Sequence, residues 1–422
     1  MFVSWYTKIT LSLSQKSLNI DIGESNGSQQ PNRGPKKCIF APYFSIRMKP
    51  IKLVDLQSQY HKIKPEVDAA IGEVLESTMF IGGEHVKNFS QELESYLNVK
   101  NVIPCANGTD ALQIALMALD LKPGDEVLTP SFTYIATCEV IALLQLKPIF
   151  VEVDPDTFTI DIDDARSKVT PKTKAIVPVH LYGQCANMDE VMKLAQSENL
   201  KVIEDTAQAI GATYTGSMFS GKAGTIGDVG TTSFFPSKNL GCYGDGRALM
   251  TNNDELAKRI RMIANHGQSK RYYHDDIGVN SRLDNIQAAV LRIKLKHLDS
   301  YAKSRQGVAD YYTSQFQDDV NLITPKIAPY SDHVFHQYTV KLNGIDRQGL
   351  QDYLESKGIP TNIYYPVPAH LQKGYAHYSD GEGSLPVTER LSREVLSFPI
   401  HTEMDDEQLK HIATGIREYL TR

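Results

Sequence analysis

The sequence predicts an α/β protein. Its large domain contains a mostly parallel sheet with helices on both faces, and a smaller C-terminal α/β domain follows. Between residues 100 and 250, short β-branched runs alternate with segments of helical periodicity. Near-continuous apolar strands separated by helices are typical of a parallel sheet that is buried on both faces. The chain has 422 residues, 41% of them hydrophobic, which is enough for a large core and two domains.

Four strands and two helices follow from the pattern. The predicted strands are residues 126–129, 148–153, 175–180 and 201–204. Helical spacing ahead of the first strand gives one helix an apolar stripe, formed by Leu112, Ala115, Leu116 and Leu119. A second stripe predicts one long helix over residues 285–316 that leads into the smaller domain, and it contains Ile286, Ala289, Val290 and Ile293.

The predicted boundaries divide the chain into an extension at 1–47, a large domain at 48–300 and a small domain at 301–422. The first 47 residues lack periodicity and hold six Lys and Arg against two Asp and Glu. Their apolar run is interrupted by hydroxyl side chains, unlike the core of a signal peptide. We expect this segment to be a disordered extension or a misplaced start, with a folded functional arm as the alternative.

The composition argues against several classes of protein. Residues 48–422 hold 38 basic and 48 acidic side chains, a net charge of −10, so no broad basic face for nucleic acid is expected. No apolar run approaches the roughly 18–20 residues that a membrane span needs. Five cysteines without CxxC spacing indicate reduced thiols and a cytoplasmic location. The twelve histidines form no Cys/His metal pattern, so no bound metal is expected.

Reactive side chains follow the ends of the predicted strands. Lys238 lies in a turn directly after an apolar strand, between Pro236 and a run of glycines. Tyr134, His180 and Asp205 each follow another strand. Ligands of open α/β sheets bind beyond the carboxyl ends of the strands, so these side chains are expected to converge. A lysine amine there becomes a nucleophile toward an aldehyde when its surroundings lower its pKa.

A phosphate site is predicted beside the first apolar-stripe helix. Gly108 and Thr109 precede this helix, so their amides and the Thr109 hydroxyl face the positive end of the helix dipole. Ser233, at the end of the strand before Lys238, offers a further hydroxyl. The alternative for Gly108 and Thr109 is an ordinary helix cap.

Five segments, taken together and in order, resemble the nucleotide-sugar aminotransferases, a branch of the pyridoxal phosphate (PLP) enzymes that includes the DegT and StrS proteins. The segments are residues 105–112, 131–134, 204–208, 231–246 and 280–284. Five ordered motifs are far more specific than one. The resemblance implies PLP as the cofactor, held covalently by Lys238, whose amine also moves the proton in transamination.

The same resemblance implies roles for other residues. Asp205 matches the aspartate that pairs with the pyridine nitrogen, and Gln208 matches the side chain that contacts the phenolic oxygen of the cofactor. Tyr134 matches the aromatic side chain that stacks on the ring, with core packing as its alternative. Residues 107–112 match the phosphate-contacting segment of the family, which favours phosphate binding over a simple cap.

Residues 280–282 are expected to contact a partner subunit and the substrate. Asn280 matches the asparagine that reaches the cofactor phosphate of the neighbouring subunit, which implies a homodimer with shared active sites; taken alone, it indicates only a turn. Arg282 is expected to bind a substrate carboxylate, with His266 nearby, because a guanidinium pairs bidentately with a carboxylate. A structural salt bridge is the alternative for Arg282.

The substrate class also follows from resemblance. Residues 181–186, 242–245, 266–268 and 271–274 look most like enzymes that aminate C3 of UDP-2-acetamido-2-deoxy-3-oxo-glucuronate for bacterial O-antigens and lipopolysaccharide, with glutamate as the expected donor. The alternatives are a dTDP- or UDP-linked 3- or 4-keto-6-deoxyhexose, or a PLP-binding regulatory protein without turnover. A sugar dehydratase of the same fold carries histidine at the lysine position, and Lys238 argues against it.

Arg247 departs from the family pattern, because relatives usually have two glycines where this chain has Gly246 and Arg247. An arginine so near Lys238 either narrows the site, meets a substrate phosphate or points outward, and the sequence alone does not distinguish these. This departure keeps the regulatory alternative open.

Overall fold

A computed structural model describes residues 48–422, so the predicted extension at 1–47 lies outside the described residues. The helices of this range are α1 (Leu56–Ser77), α2 (Glu84–Leu97), α3 (Gly108–Ala118), α4 (Ala136–Leu143), α5 (Ile162–Ser167), α6 (Met188–Glu198), α7 (Asp254–Ala264), α8 (Asn285–Leu295), α9 (Leu298–Phe316), α10 (Arg347–Ser356), α11 (Pro386–Glu394) and α12 (Asp406–Leu420). Its strands are β1 (Asn101–Cys105), β2 (Glu126–Pro130), β3 (Lys147–Val151), β4 (Thr173–Ile176), β5 (Lys201–Asp205), β6 (Thr213–Thr215), β7 (Ser220–Lys222), β8 (Val229–Ser233), β9 (Arg247–Thr251), β10 (Gln268–Lys270), β11 (Tyr273–His274), β12 (Leu322–Ile323), β13 (Tyr338–Leu342) and β14 (Val395–Phe398).

A seven-stranded sheet forms the centre of the described chain. Its strands lie side by side in the order β1, β9, β8, β5, β4, β2 and β3. The pairs from β3 to β8 are parallel, whereas β9 is antiparallel to both of its neighbours, β8 and β1. The predicted α/β fold with a mostly parallel sheet is confirmed.

The four predicted strands correspond to β2, β3, β4 and β5. Strand β4 differs most, because it ends at Ile176 instead of continuing to residue 180. Pro178 lies just beyond this end and has no amide hydrogen to donate to a neighbouring strand. Its carbonyl still accepts from the amide of Asp205 at 2.9 Å, so the chain stays beside β5 without forming a regular ladder.

The apolar stripe of α3 lies where the sequence predicts it. Leu112, Ala115 and Leu116 are buried in the core between the sheet and α7, and Leu119 packs against this core at the end of the helix. Each fully buried leucine stabilises this contact by about 1.5–3 kcal/mol. The packing fixes the beginning of α3 directly after β1, at the edge of the sheet where β5 and β8 also end.

The single helix predicted over residues 285–316 is wrong, because the chain forms α8 and α9 with a break at Lys296 and His297. At the break, the His297 amide donates to the carbonyl of Lys294, three residues back, instead of four. The two helices also pack into different cores. Leu291 of α8 contributes to the core beside the main sheet, whereas Tyr312 of α9 contributes to that of the small sheet.

The small antiparallel sheet consists of β12, β13 and β14. Its core includes Tyr312 of α9, Leu350 of α10, Phe398 of β14 and Ile412 of α12. All of these elements follow α8, and the domain boundary at residue 300 stays a prediction. Within residues 48–422, none of the helices combines the length and the apolar character that crossing a bilayer would require.

Candidate active site

A cavity of about 530 Å³ opens at the carboxyl ends of the parallel strands. Strands β5 and β8 end here, and β1 ends here before α3 begins. The sequence-predicted residues that line the cavity are Thr109, Tyr134, Asp205, Gln208, Ser233 and Lys238. Parallel strands bring their carboxyl ends to one edge of a sheet, which explains how residues up to 129 positions apart meet in one cavity.

Lys238 lies in the turn after β8, where its amide donates to the Phe235 carbonyl at 2.8 Å. The side chain is partly exposed to the cavity. Burial of the amine lowers the pKa of Lys238 to about 8, and the positive charge of Arg247 lowers it further while Asp205 opposes the change. Near pH 7, a larger share of this amine is therefore neutral and nucleophilic than in an exposed lysine.

Asp205 is a buried carboxylate at the end of β5. The Thr137 hydroxyl donates to its Oδ2 at 3.0 Å, and the Ala207 amide donates to its Oδ1 at 3.1 Å. An ionised carboxylate accepts about four hydrogen bonds, so Asp205 keeps lone pairs for a donor inside the cavity. Thr137 orients the acid from the first turn of α4, and the sequence analysis missed this contact.

Gln208, Tyr134 and Tyr365 form a second part of the cavity lining. Gln208 accepts from the Tyr182 amide at 2.9 Å, and its Nε2 donates to the Tyr365 hydroxyl at 3.0 Å. Tyr134 is 58% exposed, and the centre of its ring lies 6.1 Å from that of Tyr365. This exposure excludes core packing as the role of Tyr134 and leaves the face of its ring accessible to a planar ligand.

The beginning of α3 forms the third part of the cavity. The Asn107 side chain caps the helix by accepting from the Asp110 amide at 3.2 Å. The capping role that the sequence left open for Gly108 and Thr109 thus belongs to the residue before them. The Thr109 and Ser233 side chains both line the cavity beside this helix end. First-turn amides have no carbonyl partner within their own helix, so this end suits an anion.

His180 does not reach the cavity, although it was expected to converge there. Its imidazole is fully buried, and its Nε2 lies 2.9 Å from Oε2 of Glu204. Its Nδ1 accepts from the Ala186 amide at 3.0 Å. Glu204 is the strand residue before Asp205, and successive strand residues point to opposite faces. The pair therefore belongs to the packing of the sheet.

Asn280, Arg282 and His266 also lie outside the cavity lining, and all three are exposed. Between the first two, the Ser281 hydroxyl donates to Asp110 at 2.6 Å and accepts from the Ala106 amide at 3.0 Å. Their segment is therefore tied to the beginning of α3. Within residues 48–422, Arg282 has no carboxylate at salt-bridge distance, so the structural salt bridge left open by the sequence is not formed.

Four cavity residues from the small-sheet region were missed by the sequence analysis, and they are His336, Gln337, Tyr364 and Tyr365. Tyr365 contacts Gln208, and His336 lies on the Lys238 side of the cavity. Burial holds the pKa of His336 well below its usual value, and the nearby charge of Lys238 acts in the same direction, so the ring is neutral. Tyr364 and Tyr365, adjacent in the sequence just before Pro366, were the available sequence signal for this part of the cavity lining.

A comparison with protein families matches residues 61–417 to the profile of the "DegT/DnrJ/EryC1/StrS aminotransferase family". The chain belongs to this aminotransferase family. The resemblance found in its five motifs is therefore confirmed, and it extends over most of the residues that the structure describes. The match includes every part of the cavity, from the beginning of α3 to the Tyr365 wall.

Individual members of the DegT/DnrJ/EryC1/StrS family are similar over almost their whole length. A "UDP-2-acetamido-2-deoxy-3-oxo-D-glucuronate aminotransferase" from Pseudomonas aeruginosa is 44% identical over 87% of this chain and 99% of its own. A "pleiotropic regulatory protein" from Geobacillus stearothermophilus is also 44% identical, over 87% of this chain and 98% of its own. The crystal structure of ntda from Bacillus subtilis with bound cofactor pmp has a TM-score of 0.80 at 32% identity, covering 88% of this chain and 83% of that one.

Proposed function

We propose that the protein is a PLP-dependent aminotransferase that transfers the amino group of glutamate to C3 of UDP-2-acetamido-2-deoxy-3-oxo-glucuronate. The observation that carries this proposal is the placement of Lys238 and Asp205 in one cavity of a chain from this family. The 44% identity to the Pseudomonas aeruginosa enzyme supports the substrate. The alternative substrate is a dTDP- or UDP-linked 3- or 4-keto-6-deoxyhexose.

The cavity residues fit PLP. Asp205 has lone pairs for a protonated ring nitrogen, Tyr134 presents an open aromatic face, and the end of α3 suits a phosphate. When bound, PLP withdraws electrons from the Cα of the donor amino acid. The Lys238 amine would hold the aldehyde group of the cofactor. Once free, the same amine would move a proton from the Cα of the donor to the cofactor carbon, and it would run this transfer in reverse, onto the sugar carbon, in the second half of the reaction.

Other side chains position the reacting groups. Asp205, held by Thr137 and Ala207, would keep the proton on the ring nitrogen of the cofactor. Gln208, held by the Tyr182 amide, lines the cavity and would donate from its Nε2 to the phenolic oxygen of the cofactor. In the structure, the Tyr365 hydroxyl accepts a hydrogen bond from the Nε2 of Gln208. Tyr365 therefore keeps the Gln208 side chain oriented before a ligand binds.

A panel of UDP- and dTDP-linked 3-keto and 4-keto sugars, supplied with glutamate, tests the proposed function. We expect 2-oxoglutarate and an amino sugar, with the uronate as the best substrate. Incubation of the PLP-loaded protein with glutamate, without the sugar, distinguishes an enzyme from a regulatory protein. The name of the Geobacillus stearothermophilus relative favours the regulatory alternative. An enzyme converts bound PLP to its amine form in this half reaction, whereas a regulator without turnover does not.

The pH dependence of PLP capture reports the lowered pKa of Lys238. Only the neutral amine attacks the aldehyde, so the rate constant for capture by the apoprotein should rise with pH and level off above about 8. Stopped-flow absorbance between pH 6 and pH 10 measures this rate constant. A rate that keeps rising toward pH 10, as for an ordinary lysine, would contradict the burial effect described for this side chain.

Arg282 is expected to recognise the carboxylate of the uronate, with His266 beside it. Arg282→Ala should lower kcat/KM by roughly 30- to 1000-fold for the uronate, because one bidentate contact to a charged group is lost. An uncharged 6-hydroxy analogue should lose far less. Arg393→Ala, which removes an exposed arginine on α11, is the matched control and should leave both substrates unchanged. Equal losses on both substrates would favour a purely structural role for Arg282.

The active protein is proposed to be a homodimer with shared sites. Asn280 and Arg282 are exposed outside their own cavity, as residues that serve a neighbouring subunit would be. An apolar segment lies beside them, with Met79 53%, Phe80 44% and Ile81 51% exposed. Ile81 forms a β-bridge with Asp284, so the segment and the Asn280 loop form one surface. A second copy of the chain would bury this surface.

Mixed dimers test the shared site directly. Lys238→Ala and Asn280→Ala proteins should each be nearly inactive, yet a mixture should regain up to about a quarter of the native activity. Half of the dimers formed at random contain both variants, and one of their two sites has both native residues. Activity is measured after subunit exchange has been verified with tagged copies. No recovery in verified mixed dimers would refute the contribution of Asn280 across the interface.

The proposed setting is the bacterial cytoplasm, where the product would supply O-antigen and lipopolysaccharide synthesis. Within residues 48–422, the cysteines are unpaired and buried, and they are Cys105, Cys138, Cys185 and Cys242. Burial raises the pKa of Cys242 to about 11, so its thiol is protonated and unreactive. Free thiols of this kind are typical of a reducing compartment.

A further inference from the structure

Arg247 is buried beside the predicted phosphate end of the cavity. It is the first residue of β9, where it pairs with Cys105 of β1 on one side and Ser233 of β8 on the other. Directly paired residues in antiparallel strands point to the same face. The guanidinium therefore emerges on the face of Ser233, at the edge where β1 gives way to α3.

The guanidinium lacks the partners that a buried charge normally has. Arg247 is 6% exposed, and its Nε and Nη1 have no hydrogen-bond partner among residues 48–422. A second deeply buried arginine, Arg305, also has an unpaired Nε but differs from Arg247 at Nη1. Nη1 of Arg305 donates to three backbone carbonyls at 3.0–3.3 Å. A buried donor without an acceptor loses its hydration without compensation, so the position of Arg247 favours an acceptor from outside the chain.

The charges around Arg247 indicate which kind of acceptor the guanidinium would bind. The carboxylates of Asp205 and Asp110 lie close enough to favour the charged guanidinium, although burial lowers its pKa overall. Neither carboxylate forms a salt bridge with it among the described residues. Asp205 already accepts from Thr137, and Asp110 accepts from Ser281. The N–H groups of Nε and Nη1 thus remain available within the cavity that Arg247 lines.

We infer that Arg247 is an oxyanion ligand that binds a phosphoryl group at the beginning of α3. Two independent features meet there, namely the unpaired guanidinium and the amide-rich end of an eleven-residue helix. Thr109 and Ser233 contribute hydroxyl groups to the same part of the lining. A planar guanidinium donates through adjacent nitrogens, Nε with Nη2 or Nη1 with Nη2, and either pair matches two oxygens of a phosphate.

Two phosphates can supply this chemistry, the phosphate of the cofactor and the diphosphate of the nucleotide sugar. The cofactor phosphate is favoured because Ser233, which pairs with Arg247, is followed within five residues by Lys238. This part of the inference rests on the proposed function. In this chain, an arginine side chain therefore takes over part of the phosphate binding that backbone amides and hydroxyls would otherwise provide alone.

Ligand binding to the apoprotein tests this inference without turnover. The variants Arg247→Met and Arg247→Lys are compared with the native chain by calorimetry with pyridoxamine phosphate, which needs no covalent bond to Lys238. Arg247→Met should weaken binding by about 10- to 100-fold, because hydrogen bonds to a charged group are lost. The affinity of Arg247→Lys for pyridoxamine phosphate should lie between those of the native chain and Arg247→Met. Pyridoxamine, which lacks the phosphate, should bind all three proteins equally.

Two further arms identify the source of the phosphate. UDP is titrated into the PLP-loaded proteins, and inorganic phosphate is added to the apoproteins in a thermal unfolding assay, with chloride at equal ionic strength as the control. Weaker UDP binding with unchanged pyridoxamine phosphate binding would assign Arg247 to the substrate diphosphate. A larger phosphate-induced increase in Tm for the native chain than for Arg247→Met supports the oxyanion site in either case.

The outcomes separate this inference from the proposed function. Equal or tighter binding of pyridoxamine phosphate, UDP and inorganic phosphate by Arg247→Met would overturn the inference. Tighter binding would also show that the guanidinium obstructs the site. A native chain that binds inorganic phosphate through Arg247 but fails to bind pyridoxamine phosphate would overturn the proposed function alone. Far-UV circular dichroism checks that the variants fold, which is expected because methionine removes a buried unpaired charge.

Discussion

Lys238→Ala is expected to reduce transamination by about 10⁴-fold or more, because one amine both holds the cofactor and moves the proton. The variant retains the phosphate end of the cavity and Asp205, so it should still bind pyridoxamine phosphate. Turnover is measured as 2-oxoglutarate formed from glutamate in the presence of the keto sugar. Borohydride reduction of the PLP-loaded native chain, followed by peptide mapping, should place the cofactor on the peptide that contains Lys238.

Lys294→Met is the matched control for this variant. Lys294 is also buried, and burial lowers its pKa to about 8 as well. Its ammonium lies 5.2 Å from the centre of the Tyr243 ring, and the residue does not line the cavity. A lowered pKa alone therefore does not distinguish the two lysines, whereas their positions do. Cofactor label on Lys294, or near-native turnover by Lys238→Ala, would show that the assignment is wrong.

Asp205→Asn is expected to retain the cofactor and to lose activity by about 10²- to 10³-fold, which corresponds to roughly 3–4 kcal/mol of transition-state stabilisation. A neutral amide does not hold the proton on the ring nitrogen as a carboxylate does. The Thr137 hydroxyl can donate or accept, so the amide fits the same contact without rearrangement. The kcat and KM with glutamate are measured together, and the loss should appear mainly in kcat.

A charged cofactor analogue separates the electronic role of Asp205 from a structural one. Asp205→Ala leaves room at the ring nitrogen, and N-methylated PLP carries a permanent positive charge at that position. Reconstitution with this analogue should restore part of the lost activity, whereas PLP itself should not. If the analogue restores nothing in a folded variant, or if Asp205→Asn has near-native kcat, the carboxylate does not act through the ring nitrogen.

The convergence of Lys238, Asp205, Ser233 and Thr109 could be predicted from the sequence for a simple physical reason. Each lies at or just beyond the end of a strand or the start of a helix, and such ends share one edge of a parallel sheet. His180 was the exception. It follows a segment interrupted by Pro178, and its side chain points to the face of Glu204 rather than toward the cavity.

Other contacts could not be predicted, because they depend on packing between distant elements. Tyr365 contacts Gln208 across 157 positions of sequence, and no local periodicity indicates which loop forms that wall. The orientation of Thr137 toward Asp205 depends on how α4 packs against the sheet. Likewise, the sequence shows an unusual arginine at position 247, but only the structure shows that its guanidinium is buried without a partner.

The contact between Gln208 and Tyr365 has a consequence for the biogenesis of the protein. Lys238 and Asp205 leave the ribosome well before Tyr365 does, and until then one wall of the cavity is missing. In a nascent chain that ends before Tyr365, the Tyr182 amide can still donate to Gln208, but the Nε2 of Gln208 lacks its partner. We therefore expect cofactor loading with native affinity to require the complete cavity lining, and truncated chains that end before residue 365 should accumulate in the apo form.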